Sequence, residues 1–275
     1  MLKVDALPKR RADSHKGDYG RLFILAGSRG MLGAALLCGR AALRSGAGLV
    51  YLGVPDRSVD QVNCAAPEII TFGLDRLGDY ERLPFNFTAL ALGPGLGGRR
   101  SIAEKILNYL SKKRFPSPIV LDADALAVYN GRPEKLAALD LNLILTPHPG
   151  EMSRLSGLSV EDIQRNRLEI ASGFAHRYNC LLVLKGQRTV VADPAGNTYV
   201  NKTGNPGLAT AGTGDVLTGM ISSFCAQGLP NWQAAVQGVR LHGQAGDLAA
   251  KEKGEYGLIA TDVIEKIPYA IRQSN

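Results

Sequence analysis

Residues 207–228 read GLATAGTGDVLTGMISSFCAQG, in which small residues lead directly into a helical pattern. Val216 and Met220 recur at helical spacing, so the pattern predicts a helix with one buried face. A lone carboxylate, Asp215, lies where this helix begins. Helix N-termini carry partial positive charge and free N–H groups, and the small residues at 211–214 would let an anion approach them. The stretch therefore predicts an anion-binding turn.

Asp215 has two interpretations from its position alone. It can cap the helix, because aspartate is a preferred N-cap residue. It can also act as a base. Beside a site that holds a transferring phosphoryl group, a carboxylate can take the proton from the attacking hydroxyl.

Apolar runs of strand length recur along the rest of the chain, and several are continuous, as in strands buried on both faces. Helical patterns lie between many of them, for example at 34–45 and 102–112. This alternation predicts an α/β fold whose mostly parallel sheet is covered by helices on both sides. The runs are RLFILAG (21–27), GLVYLGV (48–54), TALALGPG (88–95), PIVLDAD (118–124), LNLILTPH (141–148) and CLLVLKG (180–186).

The pattern changes after residue 185. TVVADPAGNTYVN (189–201) reads as two short strands around the turn 194–197, which predicts an antiparallel hairpin at one sheet edge. Long helical patterns follow at 215–226 and 231–250. No repeat, linker or low-complexity segment interrupts the chain, so residues 1–275 are predicted to form a single domain.

Composition excludes several function classes. The chain has 275 residues, 45% hydrophobic and 21% charged, with a net charge of +7. Its basic residues are scattered apart from 9–11 and are not interleaved with aromatics, so nucleic-acid binding is not expected. No apolar run reaches the ~18 residues that span a bilayer, and no secretory signal is visible. The cysteines form no C-x-x-C pair, which favours buried free thiols in a cytoplasmic protein.

Glycine-rich loops follow the predicted strands at 27–35, 93–98, 146–152 and 185–189, and 212–215 is counted with them. Ligands of open parallel sheets bind beyond the carboxyl ends of the strands, so these loops together predict one crevice. Residues 93–98 (GPGLGG) also match the dinucleotide fingerprint G-x-G-x-x-G, which alone would indicate a Rossmann oxidoreductase. That match falls on an interior strand, whereas the fingerprint normally opens a domain. Residues 196–203 nearly match a P-loop but lie in the predicted hairpin.

These blocks together closely resemble the ADP-dependent NAD(P)H-hydrate dehydratase family, a ribokinase-like branch that repairs hydrated nicotinamide cofactors. The resemblance extends from about residue 14 to 262 and implies a three-layer α/β/α sandwich. The matching blocks are SHKG (14–17), GSRG (27–30), GAA (33–35), GPGLG (93–97), DADAL (122–126), TPHPGE (146–151), NPGLAT (205–210), AGTGDVLTG (211–219), AQG (226–228) and LHG (241–243).

The resemblance implies a reaction and its residues. A phosphoryl donor activates the ring hydroxyl of the hydrate, phosphate leaves, and the dihydronicotinamide is restored. Asp215 would be the base, and Gly212 and Gly214 would form the anion hole. The nucleotide would be bound by Gly214 and by Lys185, Gly186, Gln187, Arg188 and Thr189. The hydrate would contact Ala34, Gly97, His148 and Asp215.

The resemblance also implies ADP as co-substrate, Mg²⁺ near the phosphates, with ligands that the sequence does not identify, and a homo-oligomer such as a tetramer. The signature begins too early to leave room for the epimerase domain that many bacterial members carry, so action on the S epimer alone is expected. Three other functions remain open from the residues themselves: a ribokinase-like kinase of a small alcohol, a Rossmann oxidoreductase, and a nucleotide-binding module without catalysis.

Overall fold

The computed structural model describes residue 7 and residues 9–82 and 86–274. Within these residues, nine strands form one sheet in the order β3-β2-β1-β4-β5-β6-β7-β8-β9. The strands are β1 (Arg21–Leu25), β2 (Leu49–Val54), β3 (Ile70–Gly73), β4 (Ala89–Leu92), β5 (Ile119–Leu121), β6 (Leu143–Leu145), β7 (Leu181–Leu184), β8 (Val190–Ala192) and β9 (Thr198–Val200).

The helices lie mainly between the strands, as the alternating pattern predicts. They are α1 (Leu32–Arg44), α2 (Val59–Ala65), α3 (Leu77–Glu81), α4 (Arg100–Lys112), α5 (Ala123–Ala127), α6 (Glu134–Ala137), α7 (Pro149–Ser156), α8 (Val160–Arg165), α9 (Arg167–Arg177), α10 (Thr213–Ala226), α11 (Asn231–Gly257) and α12 (Ala260–Ser274). Short 3-10 turns occur at Lys16–Tyr19, Asp56–Ser58, Gly97–Arg99 and Pro206–Leu208.

The sheet is mostly parallel with an antiparallel edge, which confirms the prediction. Strands β3 to β7 pair in parallel in their spatial order. β8 pairs antiparallel with β7 and with β9, where Val191 lies opposite Tyr199. The predicted hairpin is therefore present, and the near P-loop match at 196–203 spans its turn and β9.

Helices cover both faces of the sheet, because successive strand residues point to opposite sides. In β1, Leu22 and Ile24 pack with α1, α2, α10, α11 and α12, whereas Phe23 and Leu25 pack with α3 to α9. All four side chains are completely buried. A strand buried on both faces needs a continuous apolar run, and RLFIL has one. The structure confirms the three-layer α/β/α sandwich.

Close backbone approach between α1 and α10 sets the position of α10. A methyl group at Gly219 would lie 2.2 Å from the carbonyl oxygen of Cys38 on α1. No real side chain tolerates that distance, so glycine permits the contact. Ser223, one turn further along α10, donates a hydrogen bond of 2.9 Å to the carbonyl of Ala42. These contacts hold α10 across the middle of one sheet face.

Four features differ from the sequence analysis. The edge strand β3 is not among the predicted runs, and none of its residues is fully buried. The helix α12 is also unpredicted; it contains Pro268, which usually breaks a helical pattern. The helix predicted at 231–250 continues to Gly257, across a kink at Gly254. Cys64 is exposed on α2, so the prediction of buried thiols is wrong for it, although Cys38, Cys180 and Cys225 are buried and free.

Among the described helices, none combines the length and the apolar character needed to cross a membrane.

Replacing Gly219 with alanine should destabilise the fold, because the new methyl group must push α10 away from Cys38. We expect the free energy of unfolding to fall by about 1–3 kcal/mol, the usual cost of overpacking. Gly173→Ala is the matched control: Gly173 lies on the exposed side of α9 with no neighbour within 4 Å. It should gain up to about 1 kcal/mol from helix propensity. Urea denaturation measures the free energy of unfolding of both variants. A wild-type value for Gly219→Ala would contradict the close contact between α10 and α1.

Candidate active site

The glycine-rich loops meet at one edge of the sheet. Segments 27–30, 93–98, 122–124, 146–148 and 185–189 follow β1, β4, β5, β6 and β7, which are consecutive neighbours in the sheet. The carboxyl ends of parallel strands share an edge, so the loops line one crevice as predicted. The 93–98 loop follows the interior strand β4, between β1 and β5, as expected from the sequence.

The GTGD segment at 212–215 reaches this edge by another route. The prediction that it follows a strand, like the other glycine-rich loops, is wrong. A loop that contains the 3-10 turn Pro206–Leu208 separates it from β9. Gly212 is the N-cap of α10 and has a left-handed φ of 91°. Thr218 on α10 donates a hydrogen bond of 2.8 Å to Asp122 after β5. Packing of α10 on the sheet therefore brings its N-terminus into the crevice.

Asp215 does not cap α10. It is the third residue of the helix, and no side-chain capping bond is present at Gly212. No hydrogen bond to its carboxylate is found within the described residues, and the side chain is half-buried. A carboxylate left without a donor at the mouth of a crevice is free to accept a proton from a ligand. This geometry favours the base interpretation over the cap.

The surroundings of Asp215 raise its pKa to about 7. Burial is the largest cause, since it disfavours the charged form, and the like charges of Asp122 and Glu151 add to it. Lys185 opposes them. A carboxyl group with a pKa near 7 can gain and lose a proton at neutral pH, as a general base must.

Lys185 supplies the positive charge of the site. Its ammonium nitrogen lies 2.6 Å from Oδ1 of Asp122 and 3.8 Å from Oε2 of Glu151. Burial alone would lower the pKa of Lys185, but Asp122 and Glu151 raise it above its ordinary value, so the side chain stays charged. A methyl group at Gly214 would lie 3.4 Å from Nζ. A cation thus lies next to the free N–H groups of α10, an arrangement suited to a phosphate.

The 185–189 loop has a fixed shape. Gly186, Gln187 and Arg188 are exposed. Arg188 has a left-handed φ of 54°, a strained conformation that often marks functional loops. Thr189 donates a hydrogen bond of 2.9 Å to the carbonyl of Gly186. Arg167, from α9, donates to the carbonyls of Leu184 at 2.7 Å and Lys185 at 3.1 Å.

His148 and Glu151 form a capping box at the start of α7. Nδ1 of His148 accepts hydrogen bonds from the backbone N–H groups of Gly150 at 3.0 Å and Glu151 at 3.3 Å. Oε2 of Glu151 accepts one from the backbone N–H of His148 at 2.8 Å. Burial lowers the pKa of His148, so its ring is neutral at pH 7, with its proton on Nε2. Nε2 also lies 3.5 Å from Oε1 of Glu151, and the half-exposed ring can donate its proton there or to a ligand.

Ala34, in the first turn of α1, and Gly97, in the loop after β4, lie on the other side of the crevice. Gly97 donates its backbone N–H to Oδ2 of Asp124 at 2.7 Å, and Arg100 donates to Oδ1 of the same carboxylate at 2.8 Å. A methyl group at Gly95 would lie 2.9 Å from Cβ of Ala34. The 93–98 loop thus packs against the start of α1 through Gly95, whereas Gly93 packs against the carbonyl of Asp122.

No cluster of three or more metal-binding side chains occurs in the described part of the chain. Asp122, Asp124 and Glu151 each already accept hydrogen bonds from protein groups. The described residues therefore do not form a protein cage for a metal ion, and we assign no metal ligand.

Several site residues were missed from the sequence. Thr146 and Thr218 both donate to Asp122, and Arg167 supports the 185–189 loop. Only Thr218 gave a signal: it is a polar residue on the face of α10 that the pattern predicts to be buried. The other two contacts join residues far apart in the chain and leave no local pattern.

The chain matches the family model described as NAD(P)H-hydrate dehydratase over residues 22–269. The bifunctional NAD(P)H-hydrate repair enzyme Nnr of Moorella thermoacetica is 42% identical over 97% of this chain. The chain spans about half the length of that relative, 52%. The ADP-dependent (S)-NAD(P)H-hydrate dehydratase of Bacillus subtilis is 38% identical, with 95% of this chain and 92% of the relative covered.

The solved structures agree with the sequence matches. The ADP/ATP-dependent NAD(P)H-hydrate dehydratase of Bacillus subtilis, co-crystallised with ATP and Mg²⁺, is similar to this chain with a TM-score of 0.86 and 35% identity. The match covers 98% of this chain and 95% of that one. The crevice described above thus lies in a fold that is shared with it along nearly the whole chain.

Asp215→Asn should stabilise the protein at neutral and alkaline pH. The native state keeps the Asp215 proton up to about pH 7, whereas the unfolded chain releases it near pH 3.8. The stability from this proton is fully present below pH 3.8 and is lost as the pH rises to about 7. Asparagine does not ionise, so the variant should match the wild type at about pH 4 and exceed it by on the order of 2–4 kcal/mol at about pH 8.

Urea denaturation across this pH range measures the difference between the two proteins. Asp60→Asn, on the exposed side of α2, controls for the loss of one negative charge. If the difference in unfolding free energy between the two proteins does not grow between pH 4 and 7, ionisation of Asp215 does not destabilise the native state.

Proposed function

Because the chain belongs to the NAD(P)H-hydrate dehydratase family, we propose that it dehydrates the S epimer of hydrated NADH and NADPH. ADP is the phosphoryl donor, and AMP and phosphate are the products. One observation carries the proposal for this site: a carboxylate with a pKa of about 7 stands beside the free N–H groups of α10 and the ammonium of Lys185. Base, anion site and cation lie within one crevice.

Asp215 acts as the base that takes the proton from the ring hydroxyl of the hydrate. The hydroxyl oxygen then attacks the terminal phosphorus of ADP, the bond to AMP breaks, and a phosphate ester forms. Gly212 and Gly214 provide the anion hole in which charge on the transferring group is stabilised. The left-handed φ of Gly212 turns the chain into α10 and leaves the following N–H groups open to this group.

The second half of the reaction needs no further phosphoryl donor. The carbon–oxygen bond of the ester breaks, assisted by the ring nitrogen, and phosphate leaves with the bonding electrons. Loss of a ring proton then restores the dihydronicotinamide. The sum is the removal of water from the hydrate and its addition to the phosphoanhydride of ADP.

The loop formed by Lys185, Gly186, Gln187, Arg188 and Thr189 binds the nucleotide. The charged Lys185 beside Gly214 favours the phosphates at that point, and Arg167 holds the loop in shape. Magnesium, when bound with the nucleotide, offsets charge on the transferring group. Phosphate oxygens are donors that this ion prefers, which suits a site without a protein cage.

Ala34, Gly97 and His148 contact the hydrate. Ala34, at the start of α1, and Gly97, in the loop that packs against it, lie on one side of the crevice, and Asp124 fixes the backbone at Gly97. On the other side, the neutral His148 presents Nε2–H for a hydrogen bond. The hydrate would lie between them, with its hydroxyl toward Asp215.

We further propose a homo-oligomer and a cytoplasmic location. Three large hydrophobic residues are exposed here, which suits a contact between subunits: Tyr256 near the end of α11, Ile259 between α11 and α12, and Tyr269 on α12. Buried free thiols at three positions suit a reducing compartment. Sedimentation analysis of the purified chain tests the first statement.

Gly214→Ala should remove activity without disturbing the fold. The backbone at Gly214 does not need a positive φ, and the added methyl meets only Nζ of Lys185 at an ordinary 3.4 Å. That methyl fills the space between the cation and the helix where the phosphoryl group must lie. We expect kcat to fall at least about a hundredfold, as when an oxyanion-hole donor is lost.

Two other glycines give the comparison for this variant. Gly212→Ala should unfold more easily, because its methyl would lie 2.5 Å from Leu37 at a left-handed φ. Gly173→Ala should keep full activity. Near-normal turnover by a folded Gly214→Ala protein would mean that this turn is not the phosphoryl site.

The activity itself is tested by mixing the protein with hydrated NADH, ADP and Mg²⁺ and following the absorbance of the reduced ring. We expect NADH to appear with equal amounts of AMP and phosphate. Asp215→Asn should be at least about a hundredfold slower, because positioned bases contribute ~10²–10⁴-fold. It should still bind ADP, seen as about 2.7 kcal/mol of added stability at a hundredfold excess over Kd.

Parallel reactions with ATP identify the donor. A stable phosphorylated organic product would instead indicate a kinase, and wild-type turnover by Asp215→Asn would overturn the role of the base.

A further inference from the structure

Asp122 is a buried carboxylate with more partners than a structural role at a strand end requires. It follows β5, and only 1% of its surface is exposed. Its Oδ1 accepts hydrogen bonds from Nζ of Lys185 at 2.6 Å and from Oγ1 of Thr146 at 2.9 Å. Its Oδ2 accepts one from Oγ1 of Thr218 at 2.8 Å. Both oxygens are thus occupied, and the side chain is closed to solvent.

The three donors come from three different parts of the site. Thr146 follows β6, just before the turn that holds His148. Lys185 follows β7 and begins the proposed nucleotide loop. Thr218 lies on α10, one turn after Asp215. A single carboxylate therefore fixes the cation and the base-bearing helix relative to each other.

Because its oxygens already accept these donors, Asp122 is not placed to touch a ligand. Its influence must pass through the groups that it holds. Its negative charge has a second effect, since it lies close enough to Asp215 to disfavour ionisation there. Glu151 also raises the pKa of Asp215, whereas Lys185 lowers it.

We propose that Asp122 is a positioning residue, which holds the Lys185 ammonium and the first turns of α10 in one arrangement and faces Asp215 with its charge. The proposal rests on the proposed function for the role of Asp215 as base. It predicts that the protonation of Asp215 depends on Asp122 whether or not the chain turns over hydrated NADH.

Within the described part of the chain, three charged groups act on Asp215. Asp122 follows β5, Lys185 follows β7, and Glu151 lies on α7. Cys38, on α1, is buried, and burial with the charges of Asp215 and Asp122 raises its pKa well above the ordinary value, so it stays neutral. His242, on α11, bonds the carbonyl of Thr213 through Nε2 at 3.0 Å, and burial lowers its pKa to about 4, so it is also neutral.

Asp122→Asn tests the effect of the charge while keeping the size of the side chain. Proteins labelled with ¹³C at the aspartate carboxyl carbons are titrated by NMR, and the Asp215 signal is assigned by its loss in Asp215→Asn. We expect the Asp215 pKa to fall by at least about one unit in Asp122→Asn, because a like charge is lost and Lys185 is freed to approach. An Asp215 signal that titrates at the wild-type pH would overturn the proposal.

Asp124→Asn is the matched control, since Asp124 lies two residues away but bonds Gly97 and Arg100 instead. Asp124→Asn should leave the pKa of Asp215 unchanged. If it shifts Asp215 as far as Asp122→Asn does, the effect is not specific to Asp122. This measurement needs no substrate, so its result stands even if the dehydratase assay fails.

Thr218 provides a second test, which applies even if Asp122→Asn does not fold. Thr218→Val removes the hydroxyl that ties α10 to Asp122, whereas Thr218→Ser keeps it. We expect Thr218→Val to lower kcat for hydrated NADH at least about tenfold with little change in the KM for ADP, and Thr218→Ser to retain most of kcat. Equal rates for the two variants would overturn the positioning role, because a purely packing role favours valine over serine.

Discussion

Three carboxylates, Asp122, Glu151 and Asp215, lie around the ammonium of Lys185, and this balance of charge governs the chemistry open to the crevice. Asp122 and Lys185 are paired at 2.6 Å in a place nearly closed to water. Such a pair is costly to bury unless hydrogen bonds complete it, and Thr146 and Thr218 complete this one. Asp215 is left outside the pair, without a donor of its own. Its proton affinity is therefore set by burial and by charged neighbours that it does not bond.

The fold creates this balance by bringing groups together that are distant in the chain. Parallel pairing places the ends of β5, β6 and β7 side by side, which joins Asp122, Thr146 and Lys185. Asp215, the proposed base, arrives from elsewhere, on α10, which packs across one face of the sheet. Its approach depends on Gly219, where α10 meets the backbone of α1. A packing contact about one turn from Asp215 thus fixes the distance between Asp215 and Lys185.

Much of this could be predicted from the sequence, and the reasons for the misses are physical. Continuous apolar runs indicated six of the seven parallel strands, because strands buried on both faces need them. β3 was missed because it is a short edge strand with no fully buried residue. α12 was missed because Pro268 interrupts its pattern, and prolines inside helices are rare.

The site residues likewise divide into those that the sequence indicates and those that it does not. Residues carried on local motifs, such as Asp215 in GTGD and His148 in TPHPG, could be identified from short stretches. The loops that contain them meet at one edge, as expected, except that 212–215 arrives on a helix rather than a strand. The pair of Asp122 with Lys185 joins positions 63 residues apart in the chain. No local pattern encodes such a contact, since it depends on the order of the strands.

The position of Lys185 also answers a difficulty that the proposed reaction creates. A nucleotide brings negative charge close to Asp215, and like charge raises the pKa of a carboxyl group. Starting from about 7, a further rise would leave the base protonated at neutral pH and unable to accept the hydroxyl proton. Lys185 lies next to Gly214, where the phosphate is proposed to bind, and so offsets the new charge where it appears. Asp122 holds the ammonium at that point, so the pair places a charge that raises the pKa of Asp215 beside one that lowers it.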